Sequence, residues 1–149
     1  MMTLSNQSIG LIIGGFLPAI VYGFSGVLPK VSNQAGIGIG LYTIIVGLAV
    51  TLTGLIIFFF IPDSTVNWKS GIAAFGFGLA SGIGNGLVVI GLMRFKTPMS
   101  QLTPLYNMNT LIAVLLALWI FAEWKQVNQL QLIIGSVLIV LGGTLVARA

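Results

Sequence analysis

The 149 residues are 57% hydrophobic and 5% charged, with mean hydropathy +1.11 and a net charge of +4. Soluble domains carry about a quarter charged residues, so this composition describes an all-α integral membrane protein. The chain has no Cys and no His, which excludes disulfides, haem attachment and Cys/His zinc sites. Its two side-chain carboxylates, Asp63 and Glu123, do not supply the paired acids or triads of an enzyme. No cofactor, metal or enzymatic activity is expected. The six Lys and Arg read as topology signals in short loops rather than as a nucleic-acid surface.

Apolar runs predict five transmembrane helices, at about 9–28, 37–61, 71–93, 98–122 and 130–146. The first follows a short polar tail without a basic region, so no cleaved signal peptide is expected. Gly10 and Gly14 form a GxxxG face on it, and Pro18 predicts a mid-span kink. Tyr22 and Ser25 add polar groups. Pro29-Lys30 is expected to end the span, with a loop to about Gly36.

The second span is mostly plain. Its Thr43, Thr51 and Thr53 hydroxyls are expected to bond back to their own helix, and Tyr42 stands near its start. A turn at Pro62-Asp63-Ser64 follows the run Phe58-Phe59-Phe60.

Glycine dominates the third span, GIAAFGFGLASGIGNGLVVIGLM. Gly78, Gly82 and Gly86 recur at i, i+4, i+8 with Asn85 beside them. Such a stripe serves close helix packing or leaves space for a cavity, and an amide at mid-membrane serves a helix–helix bond or a ligand.

Thr97-Pro98 opens the fourth span, since a proline in a first turn sacrifices no hydrogen bond. Its first half holds Gln101, Thr103, Tyr106, Asn107, Asn109 and Thr110, with Pro104 among them. A helix that only spans lipid has no use for so many polar groups, each of which needs a partner out of water. On one straight helix, Tyr106, Asn109 and Thr110 share a face, while Asn107 points about 100° away. The second half is apolar to Phe121 and closes on Glu123 and Lys125. Asn128 with Gln131 three residues on predicts the cap of the fifth span.

Five spans put the termini on opposite sides. Lys69 and Lys125 share the N-terminal side, whereas Lys30, Arg94, Lys96 and Arg148 lie on the other. The positive-inside rule then favours an outside N-terminus and a cytoplasmic C-terminus in a cell inner (plasma) membrane. The bias of four against two also leaves insertion in both orientations open. Trp68, Trp119 and Trp124 fall at or near the N-terminal side, as an aromatic belt would.

The stretch from the third span onward resembles the EamA-like half of the drug/metabolite transporter superfamily. The resemblance rests on Pro98, Ser100 and Pro104-Leu105 at the opening of the fourth helix, Glu123 at its close, and Gly135, Leu138-Ile139 and Gly142 in the fifth. Ala122 stands where the family usually has glycine before the acid. Full-length relatives carry two such five-helix halves as an inverted repeat of ten helices, with the substrate cavity between them. The resemblance therefore implies a half-size transporter of small metabolites or drug-like solutes. It would pair with a second copy or a separate half-size subunit, in parallel or antiparallel arrangement. Small multidrug transporters of the superfamily exchange protons through a carboxylate in their first helix, and this first helix has none.

The side chains expected to meet substrate are Tyr106, Asn107, Thr110, Asn85 and Tyr22. Pro18 and Pro104 are expected as hinges or inert kinks, and Gly78, Gly82 and Gly86 as the packing face. A non-transporting scaffold or accessory subunit, using the glycine faces to bind a partner, is the alternative.

Overall fold

In the computed structural model, described for residues 6–61, 65–125 and 127–148, all regular structure among the described residues is helical. Five stretches are long and apolar enough to cross a membrane: Ser8–Gln34, Ile39–Phe60, Trp68–Met93, Met99–Ile120 and Gln129–Val146. The chain falls into two compact units, Met1–Ile37 and Gly38–Ala149.

In the first unit, α1 (Asn6–Leu11) runs through a π-helical turn (Ile12–Phe16) into α2 (Leu17–Ser25). Pro18 explains the turn. A proline ring clashes with the carbonyl four residues back, here Gly14, and an extra residue in the turn widens the helix at that point. The Leu17 N–H accordingly reaches the Ile12 carbonyl, five residues back.

Pro29 does not end this span. It sits in the first turn of α3 (Leu28–Gln34), so residues expected to form a loop are helical. Proline initiates a helix as readily as it stops one, because first-turn N–H groups have no partner anyway. The true stop is Gly36, at φ +86°. Around it the Gly36 N–H bonds to Asn33 O at 3.0 Å and the Ile37 N–H to Ser32 O at 3.3 Å. That pair of bonds is a Schellman termination, which needs a left-handed residue.

The second unit holds α4 (Ile39–Phe60), α5 (Trp68–Met93), α6 (Met99–Asn107), α7 (Asn109–Ile120), a 3-10 turn (Glu123–Lys125) and α8 (Gln129–Ala147). Asn67 starts α5 three residues before the expected bound, in a full capping box with Ser70: N–H of Ser70 to Asn67 Oδ1 at 2.9 Å and N–H of Asn67 to Ser70 Oγ at 3.1 Å. Asn128 caps α8 by accepting from the Gln131 N–H at 3.3 Å, as expected. The expected turn at Pro62, Asp63 and Ser64 lies outside the described residues.

The fourth span is two helices. Pro104 has no N–H to offer the Ser100 carbonyl, and one turn later the chain tightens at Met108. There the Met108 N–H bonds to Leu105 O at 3.2 Å and the Leu111 N–H to Met108 O at 3.1 Å, both spanning three residues.

Within this unit α4 packs on α5, α5 on α6, and α6 on α8. Among the described residues only Val89, Leu92, Met99 and Gly143 are buried, so the core is a small cluster where α5, α6 and α8 meet. Large apolar side chains face outward elsewhere, from Leu48 and Phe77 to Leu138. In water such a surface would drive aggregation, whereas hydrocarbon solvates it.

Candidate functional site

The threonines are mostly spent on their own helices. The hydroxyls of Thr43, Thr51 and Thr53 donate to the carbonyls of Ile39, Gly47 and Ala49, at 3.1, 2.9 and 2.9 Å. On the fourth span Thr103 donates to Met99 O at 2.8 Å and Thr110 to Asn107 O at 2.9 Å. Thr110 is thus exposed but occupied, and its bond helps close the carbonyls loosened at the Met108 break.

That break interrupts the single helix on which Tyr106, Asn109 and Thr110 are expected to share a face. Helical-wheel spacing holds only along one helix, and Tyr106 belongs to α6 while Asn109 begins α7. Tyr106 is partly buried; Asn107 and Asn109 are exposed. Asn85 is exposed on α5. The side chains of Asn85, Tyr106 and Asn107 make no hydrogen bond to any described residue. Tyr22, on α2 of the first unit, is 73% exposed.

One neighbour of Tyr106 was not among the expected site residues. The phenol of Tyr42, partly buried in the first turn of α4, lies within electrostatic reach of the Tyr106 phenol. The sequence signal is slight: a lone tyrosine at the start of an otherwise aliphatic span. Gln101 and Thr103, also partly buried, stand on the same helix as Tyr106.

Clefts within the second unit include two that none of the expected substrate residues lines. One, of about 280 Å³, runs between α7 and α8 and is lined by aliphatic side chains from Leu111 to Leu118 and from Leu132 to Leu141, with Ser136 its one hydroxyl. The other, of about 450 Å³, lies at the start of α5 among Val66, Asn67, Trp68, Gly71, Ile72 and Phe75.

The glycines divide sharply. A Cβ added at Gly78, Gly82 or Gly86 would meet nothing within 4 Å, and the same holds for Gly10 and Gly14. Close approaches fall elsewhere. A Cβ at Gly91 would meet Leu102 Cδ2 at 3.5 Å, and one at Gly143 would meet Pro104 O at 3.4 Å and Met108 Cγ at 3.5 Å. Gly143 is therefore what lets α8 lie against the kinked stretch of the fourth span, and it was not among the expected packing residues.

Among the described residues, two other than glycine hold left-handed backbone, Lys96 at φ +53° and Ala122 at φ +52°. Each follows the end of a helix, α5 and α7 respectively.

Comparison with known proteins yields no matching family model, curated protein or solved structure.

Proposed function

We propose that the chain is half of a membrane transporter for small metabolites or drug-like solutes, in which two five-helix units enclose the solute path. The observation that carries this reading is the set of polar side chains on apolar spans with no hydrogen bond to a described residue: Asn85, Tyr106 and Asn107. Leaving such groups against hydrocarbon is costly, so a partner unit, water or a solute has to meet them. The place of Tyr106 and Asn107 beside the Met108 break fits the transporter plan of interrupted helices lining a mid-membrane path.

The resemblance to EamA-like halves gains support from Ala122. The family usually has glycine at this position, and the backbone here adopts the left-handed conformation that favours glycine. The open stripe at Gly78, Gly82 and Gly86 offers a second unit close approach, whether from a further copy or from a separate half. We place the protein in a cell inner membrane with an outside N-terminus, and keep insertion in both orientations as a route to an antiparallel pair.

A non-transporting scaffold is the second reading. It is favoured by one fact: neither cleft is lined by Asn85 or Tyr106.

Cysteine accessibility separates the two, because the native chain has no Cys. Asn85→Cys and Tyr106→Cys should both react with a membrane-impermeant thiol reagent in intact membranes. If neither reacts from either side, no watered path exists and the scaffold stands. Lys96→Cys reports the arrangement: labelling from both sides means both orientations, labelling from one side a parallel pair or a distinct partner half.

A further inference from the structure

The basic side chains of the second unit are unevenly spread. Arg94 and Lys96 flank Phe95 in the turn that joins α5 to α6. Arg94 and Lys96 are exposed, and Phe95 is 75% exposed. The turn is pinned by the Thr97 N–H on Gly91 O at 3.2 Å and carries the left-handed Lys96.

A third cation joins them at the same end. Gly143 of α8 touches Pro104 of α6, and the short connection after α7 makes α6 and α8 antiparallel. Five residues onward from Gly143 and five back from Pro104, Arg148 stands level with Met99, at the mouth of the turn. Arg148 is also exposed. None of the three forms an ion pair with a described residue. Glu123, the one described side-chain carboxylate, belongs to the 3-10 turn at the opposite end, next to Lys125. The carbonyl ends of α5 and α8 attract Arg94 and Arg148 in part, but leave their guanidinium groups free for other partners.

We propose that this end of the second unit holds the phosphate headgroup of an anionic phospholipid between Arg94, Lys96 and Arg148, with Phe95 seated in the adjoining acyl region. The inference rests on the membrane placement above and not on transport. Lys and Arg beside a membrane-spanning segment draw anionic lipid, arginine binds phosphate through paired donors, and aromatic rings favour the headgroup level.

The test uses the full chain, purified in a nonionic detergent and mixed with equal amounts of phosphatidylglycerol and phosphatidylcholine. Lipid adducts retained are read by native mass spectrometry. Phosphatidylglycerol should exceed phosphatidylcholine by on the order of tenfold. R94Q/K96Q/R148Q should bring the two near equality, while K30Q/K69Q/K125Q, which removes as many charges, should keep the wild-type preference. Equal retention on the wild type overturns the proposal, as does an equal fall in both triple variants. Should the first triple variant fail to fold, the wild type still decides. Its preference must shrink as salt rises from about 0.05 to about 0.5 M, and a preference indifferent to salt overturns the proposal as well.

Discussion

Helix α5 contains two kinds of glycine, and they behave differently. Gly91, near its end, lies under Leu102 of α6, in the neighbourhood of the buried Val89 and Leu92. At Gly78, Gly82 and Gly86, which recur at regular helical spacing, an added Cβ would meet no described neighbour within 4 Å. The residue type is the same and the helix is the same; what differs is whether the fourth span folds back on them. Regular spacing therefore marked the face the chain leaves open, whereas the glycines that build the unit, Gly91 and Gly143, stand outside that stripe. Glycine density reports that something must come close, but not whether that something belongs to the same chain.

The largest effect is expected where a glycine is buried. Gly143→Leu forces a side chain between α8 and the Pro104 carbonyl and Met108, atoms that already lie at 3.4 and 3.5 Å from the Cβ position. Overpacking of this kind costs about 1–3 kcal/mol. Unfolding in mixed micelles should show that loss, with α6 and α8 separating. A wild-type unfolding midpoint would mean that the junction yields freely and is not the core of the unit.

Gly82→Leu tests the other half of the comparison. Its Cβ meets open space, so the unfolding midpoint should shift by no more than about 0.5 kcal/mol equivalent, the usual range for substitutions that disturb no packing. Association should weaken instead, read as the fraction cross-linked in native membranes. If the oligomer is unchanged, the open stripe is not where a second unit docks.

These contrasts also show what could be read from the sequence. The five spans were legible because apolar length alone decides them, and the Thr back-bonds and the Asn128 cap because they depend only on neighbours in the chain. Pro18 announced a distortion correctly, though not that a π-helical turn would absorb it. Pro29 was misread because a proline says that one hydrogen bond is missing, not whether a helix is ending or beginning. The face assigned to Tyr106, Asn109 and Thr110 assumes a continuous helix, and Met108 interrupts it. Tyr42 was overlooked because its proximity to Tyr106 is set by how α4 and α6 flank α5, which no local pattern encodes.

A small effect is expected at Ala122, where the comparison is inverted: here the backbone asks for glycine and the sequence does not supply it. A residue with a Cβ in left-handed backbone costs roughly 1–2 kcal/mol. Glycine removes that strain but gives back about 0.5–1 kcal/mol through the greater freedom of the unfolded chain. The balance makes Ala122→Gly stabilising by about 0.5 kcal/mol, a small upward shift in the unfolding midpoint. Ala122→Val should go the other way and by more, since a β-branched side chain tolerates this region least. Should glycine instead destabilise, the turn between α7 and the Glu123–Lys125 segment is not held left-handed in the folded protein. The conformation that links Ala122 to the glycine of EamA-like halves would then be lost, and with it one of the supports for reading the chain as half of such a transporter.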